Sequence, residues 1–178
     1  VLDSALLSQY DVLVLALPTT YYPTAEKYAI LGFIQNGGRL VVIGEWGGYA
    51  GYMRDIMNDL LSSVGSGIAM NNDWVEDPTN YDGYYYYWPI IHIFSGDPVN
   101  NGVYQVVEYA GASLAVQSPG YVTGWADEDS YTVASKAGEG KDTSRVLGGG
   151  AGERQDMGTI PVMAMANIGQ GDVWVVSD

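Results

Sequence analysis

A chain of 178 residues with 47% hydrophobic side chains is long and apolar enough to bury a full core, which excludes a disordered polymer. Its 21 acidic residues against 7 basic ones leave a net charge of -14. That field repels phosphate backbones and anionic lipid, so it argues against nucleic-acid and membrane-surface roles and suits cations or neutral sugars better.

The absence of cysteine rules out thiol catalysis, disulfides and thiolate metal sites. No apolar run approaches the roughly 20 residues of a membrane span, so membrane insertion is not expected. Val1-Leu2-Asp3-Ser4 has neither the basic start nor the apolar stretch of a signal peptide, as a mature, processed or excerpted chain also would not. Fifteen tyrosines, five tryptophans, 24 glycines and few lysines point to an extracellular or cell-surface protein.

In chain order, residues 11–17 form a continuous apolar run ended by Pro18, as in a strand buried on both faces of a parallel sheet. Pro23 stands where a helix begins, Ala25, Ala29, Ile30, Phe33 and Ile34 follow at helical spacing, and Gly37-Gly38 ends that helix. Residues 40–43 are a second apolar strand, completing a right-handed parallel βαβ unit. After Gly48, a second helix buries Met53, Ile56, Met57, Leu60, Leu61 and Val64 and stops at Gly65, and residues 68–70 form a short strand.

Residues 71–83 are polar and turn-rich, and Tyr84-Tyr85-Tyr86-Tyr87-Trp88-Pro89 adds an aromatic cluster. A loop of this length inside a domain is expected to be functional or to pack on a partner. The second half reads as strands over 90–94, 103–109, 113–117 and 132–135, with a glycine-rich loop over 137–158. Residues 161–167 and 172–176 make a hairpin about Ile168-Gly169-Gln170-Gly171. No repeat or linker interrupts this, so a single domain over 1–178 is expected.

These stretches together resemble a known pattern. "YDVLVLALPT" followed by a helix and "GGRLVVIGEWGG" is similar to the class I glutamine amidotransferase-like superfamily. Within it, the likeness is to the non-catalytic surface branch related to gliding-motility and intraflagellar-transport domains. "FSGDPVNNGV" looks like that branch's His-Pro-x-x-x-Gly-Val segment with Asp97 in place of His, and "IPVMAMANIGQGDVWVVSD" resembles its closing hairpin. The resemblance implies an α/β, flavodoxin-like three-layer sandwich with a mainly parallel sheet and a β-rich C-terminal half. It also implies a strand and helix before residue 1 and a helix after residue 178, so a fragment of a longer polypeptide is expected.

The superfamily carries its nucleophile on the sharp turn between the second strand and the second helix. Here Gly44-Glu45-Trp46-Gly47-Gly48 offers no cysteine or serine, so no enzyme is expected. Glu45 is the fallback nucleophile or base, against the simpler reading of a carboxylate held at a helix start or by a neighbouring loop. His92, the one histidine, lies in a strand and reads as structural, and without thiolates a lone imidazole argues against zinc.

Carboxylates cluster at Asp73, Glu76, Asp77 and Asp82, and again at Asp127, Glu128 and Asp129. The first group is the candidate calcium set, although it lacks EF-hand spacing and solvated acidic turns are the simpler reading. Trp46, Trp74, Tyr84, Tyr85, Tyr86, Tyr87 and Trp88 are the candidate binding residues. They suit a protein contact or a glycan, against an alternating strand that covers the core. The expected function is a non-catalytic interaction or structural module that meets a protein partner, or itself, through residues 71–89 and open sheet edges. The alternative is a carbohydrate-active or other hydrolase accessory domain using Glu45 with Asp73 or Asp77.

Overall fold

The computed structural model describes residues 1–46, 51–134 and 160–177. The loop expected over 137–158, together with Gly47 and Gly48 of the turn, lies outside the described residues.

The first half obeys its hydrophobic pattern. Asp3 caps a short helix α1 (Ser4–Leu7) by accepting the Leu6 amide at 2.8 Å. The apolar run becomes β1 (Val12–Ala16), α2 (Thr24–Gln35) starts after Pro23, and β2 (Arg39–Ile43) runs parallel to β1. Beyond α2, Gly37 takes φ 103, the left-handed conformation that closes many helices. α3 (Gly51–Ser63) buries Ile56, Met57, Leu60 and Leu61.

The second half is strand-rich. It contains β3 (Ile68–Met70), β4 (Asp73–Glu76), β5 (Ile90–Ile91), β6 (Ile93–Phe94) and β7 (Val106–Val107). These are followed by β8 (Leu114–Val116), β9 (Gly120–Trp125), β10 (Tyr131–Ala134), β11 (Pro161–Ile168) and β12 (Gly171–Val176). Six strands form one sheet in the order β1-β2-β12-β11-β9-β6. β12 lies parallel to β2, whereas β11, β9 and β6 follow it antiparallel. The sheet is therefore mixed, not mainly parallel as expected. The cause is the β11–β12 hairpin: its two-residue turn forces antiparallel pairing, and the hairpin enters the sheet directly beside β2.

The hairpin tip is seated on α2. A Cβ at Gly171 would lie 2.2 Å from the Gly38 carbonyl oxygen and 2.4 Å from that of Ile34. Arg39 and Asp172, directly opposite on β2 and β12, form a two-pronged ion pair at 2.6 and 2.8 Å.

Two strands are not expected from the sequence, and the alternating strand weighed for the tyrosine run does not form. β9 sits inside the main sheet, although Gly120 and Gly124 disguise it as a loop. Gly124 gives Met163 room, because an added Cβ would lie 3.0 Å from the Met163 sulfur. β4 forms inside the polar stretch by pairing with β10, Glu76 opposite Tyr131. Residues 84–88 are not a strand. They form turns held by the backbone: the Tyr86 carbonyl accepts the Asp77 amide at 2.7 Å and the Tyr87 carbonyl accepts the Ala110 amide at 2.9 Å.

Two cores result. The larger joins Ile30, Ile34, Leu61 and their neighbours on the helices to Leu40, Val42, Val173 and Val175 on one face of the sheet. A second cluster of Val75, Ile91, Ala126, Ile160, Val162 and Met163 lies toward the β9–β11 end. Register shifts between Pro161 and Ala164 let β11 serve both. β1 is not buried on both faces as expected: it is an edge strand, Val12 and Val14 alternate with Leu13 and Leu15, and they remain 48% and 54% exposed.

Candidate functional site

The turn after β2 begins as the sequence predicts. Gly44 donates its amide to the Val176 carbonyl at 2.8 Å, and a Cβ there would press on the Met70 methyl at 2.8 Å. The Glu45 carboxylate accepts the Trp46 amide at 3.0 Å, so this side chain is engaged by its own turn. Trp46 leaves the turn and meets Trp74 of β4 edge-to-face, with ring centroids 5.3 Å apart.

From this pair a cleft of about 460 Å³ opens, lined by Trp46, Trp74, Glu76, Tyr86, Tyr87 and Ala110. Each wall has a local cause. Trp74 and Glu76 are two residues apart on β4 and share one face, and the Trp74 indole N–H donates to Glu76 Oε1 at 2.8 Å. Tyr131, opposite on β10, donates its hydroxyl to Glu76 Oε2 at 2.5 Å. Tyr86 and Tyr87 are brought in by the backbone bonds from Asp77 and Ala110. Ala110 itself takes φ 59, an uncommon conformation for a residue with a Cβ. A larger cleft of about 710 Å³ beside β3 and β8 is lined by Asn58, Ser62, Gln117 and aliphatic or small residues, with no ionisable side chain.

Only part of the expected binding set lines the aromatic cleft. Tyr84 is 91% exposed and projects outward. Tyr85 and Trp88 belong to a neighbouring aromatic stack: Tyr85 lies on Tyr87 at 4.9 Å, and Trp88 lies on Tyr109 at 4.4 Å. The sequence reading missed Ala110 and Tyr109, which carry no motif. It also placed Glu76 among metal ligands when it lines this cleft.

The expected calcium set of Asp73, Glu76, Asp77 and Asp82 is not assembled. No group of three or more His, Cys, Asp or Glu residues among the described residues is arranged to hold a metal. The reason is strand geometry, because Asp73 and Glu76 are three residues apart on β4 and point to opposite faces. Asp73 turns inward and accepts both the amide and the hydroxyl of Ser113 at 2.9 and 2.7 Å. Burial pushes its carboxyl up, while the Ser113 bonds and the Arg54 charge pull the other way. Asp82 is exposed on the turn.

The two acidic stretches do meet at one point. Asp77, 1% exposed, accepts the amides of Thr79 and Asn80 at 2.8 and 2.9 Å, and its carboxyl reaches that of Asp127. Asp127 is held above the usual carboxylate range, first by burial and then by the neighbouring Asp77 carboxyl. His92 is exposed and contacts Asn80 Nδ2 at 3.0 Å, away from the aromatic cleft.

No protein-family model matches the sequence, and no curated protein is significantly similar to it. Its fold does resemble solved structures. The mmIFT52 N-terminal domain superposes with a TM-score of 0.70 at 17% identity, over 99% of this chain and 70% of that one. Two cytoplasmic proteins from Salmonella typhimurium, STM1381 and STM3548, superpose with TM-scores of 0.57 and 0.56 at 13% and 14% identity. Each match covers 99% of this chain, which spans 64% and 63% of those two proteins. At these identities the likeness concerns the fold: a mixed α/β domain of the kind seen in the mmIFT52 N-terminal domain.

Proposed function

We propose that this domain is a non-catalytic interaction module of an extracellular or cell-surface protein and works as part of a larger assembly. The observation that carries the reading is the concentration of aromatic side chains on residues 74–88, beside a turn whose one carboxylate is bound to its own backbone. Tyr84, Tyr85 and Tyr86 are 91%, 44% and 50% exposed. Exposed tyrosines, Tyr85 among them stacked on Tyr87, supply large contact area at low entropic cost. Glu45 accepts the amide of the adjacent Trp46, the behaviour of a structural carboxylate. The finer ancestry belongs to the same proposal: a branch of the amidotransferase-like superfamily that has lost its nucleophile, built as a three-layer flavodoxin-like sandwich. The apolar, exposed Val12 and Val14 support that architecture, since parallel strands are normally covered on both faces. The cysteine-free, tyrosine-rich, acidic composition supports the location.

Light scattering across a concentration series tests the interaction. The wild-type chain is expected to self-associate, and a Tyr84→Ser/Tyr86→Ser variant of unchanged circular dichroism is expected to remain monomeric. A wild type that stays monomeric at every concentration counts against self-assembly through this segment.

A further inference from the structure

The aromatic cleft has a composition that selects among ligands. Its walls are Trp46, Trp74, Tyr86 and Tyr87, and Glu76 is the one carboxylate among its lining residues. The Trp46 and Trp74 rings pack edge-to-face at 86° and form one continuous aromatic wall, against which a guest in the cleft lies. Ring faces carry negative electrostatic potential and attract cations, most strongly when the cation is desolvated.

Charge points the same way. The basic side chains of the described residues are Lys27, Arg39 and Arg54, and all three are engaged in ion pairs, with Asp59, Asp172 and Asp55. None of them pairs with Glu76, which therefore faces the cleft with a negative charge that no described cation offsets. The whole chain adds a field of net charge -14.

Hydrogen bonding then narrows the kind of cation. Both Glu76 oxygens already accept bonds, from the Trp74 indole at 2.8 Å and the Tyr131 hydroxyl at 2.5 Å. With one bond already on each oxygen, the carboxylate supplies charge but only a partly occupied fork to a guanidinium. A primary ammonium or guanidinium entering among these rings would give up water bonds and find few replacements. A quaternary ammonium has no N–H to leave unsatisfied. The cleft, at about 460 Å³, is within the range of small-ligand sites.

We propose that the cleft formed by Trp46, Trp74, Tyr86, Tyr87 and Glu76 binds a quaternary ammonium group carried by a small ligand without net negative charge. The proposal rests on the non-catalytic binding reading above and specifies what one part of that surface recognises. Trp74 is the central wall, because its indole is both fixed by Glu76 and packed on Trp46. Tyr86, half exposed, is the outer wall.

The test is a titration of the full chain with choline, followed by tryptophan fluorescence and calorimetry. Parallel titrations use 3,3-dimethyl-1-butanol, the uncharged isostere, and phosphocholine and galactose. Saturable choline binding with a dissociation constant on the order of millimolar is expected. The uncharged isostere is expected to bind at least about ten-fold more weakly. Glu76→Gln and Tyr86→Ala, each checked for native circular dichroism, are expected to weaken choline by about five-fold or more. Equal binding of choline and its isostere, or no saturable choline signal from folded protein, overturns the proposal. Tighter binding of galactose or of phosphocholine than of choline also overturns it. Choline binding without self-association would remove the assembly reading and keep the cleft. Self-association without choline binding would do the reverse.

Discussion

The helix-covered half and the aromatic half of this domain are built on different principles. Around Ile30, Ile34 and Leu61, regular elements present aliphatic side chains to one another, and nothing but packing is needed. Between Asp77 and Ile90 there is little regular structure. Backbone bonds such as Trp88 N–H to the Tyr85 carbonyl and Ile90 N–H to the Asn80 carbonyl shape the turns, and rings project from them. The first arrangement concentrates stability, and the second exposes chemistry on a backbone already fixed by its own hydrogen bonds. Substitutions in the two regions should therefore separate stability from binding.

The sharpest separation comes from the buried side. Leu61 is fully buried on α3, so Leu61→Ala is expected to cost about 2–5 kcal/mol, read as a large fall in the thermal midpoint. Gly171→Ala tests whether the hairpin tip is as rigidly seated. Its Cβ would meet two backbone carbonyl oxygens that cannot rotate away, so a loss of about 1–3 kcal/mol is expected by denaturant titration.

A smaller effect is expected at the Asp77–Asp127 contact. The folded Asp127 carboxyl holds its proton more tightly than the unfolded one. Its contribution therefore favours the native state at and below the unfolded pKa and is lost as pH rises through the raised folded value. Asp127→Asn should raise the thermal midpoint at neutral pH by a few degrees and flatten that part of the stability profile. An unchanged pH profile would remove this contact from the account. The smallest effect belongs to Tyr84→Ala: with the ring 91% exposed, stability should change by less than about 0.5 kcal/mol, while self-association should fall.

What was legible in the sequence follows the same division. α2, β2 and the β11–β12 hairpin announce themselves by apolar runs and glycine punctuation, because their neighbours in space bury them in the ordinary way; β1 announces itself by its apolar run although one of its faces is exposed. β9 is hidden by Gly120 and Gly124, whose purpose is the close approach of Ile68 and Met163 from other elements. β4 is hidden by Asp73 and Glu76, polar residues each given a partner by distant chain, Ser113 and Tyr131. The site was half legible. Trp46, Trp74, Tyr86 and Tyr87 stand out as aromatic, but nothing local says that they converge while Tyr84 and Tyr85 do not. Asp73, Glu76, Asp77 and Asp82 look like one cluster in sequence, and strand alternation separates the first two in space.

The engagement of Lys27, Arg39 and Arg54 in ion pairs has a further consequence, for how the domain behaves among small ions. With its described cations already committed, the acidic surface is balanced by mobile counter-ions, and the protein behaves as a compact polyanion. Added salt of any kind should tighten it by relieving self-repulsion, sodium and magnesium included. A rise in melting temperature with calcium therefore carries meaning only where it exceeds the rise produced by magnesium at equal ionic strength.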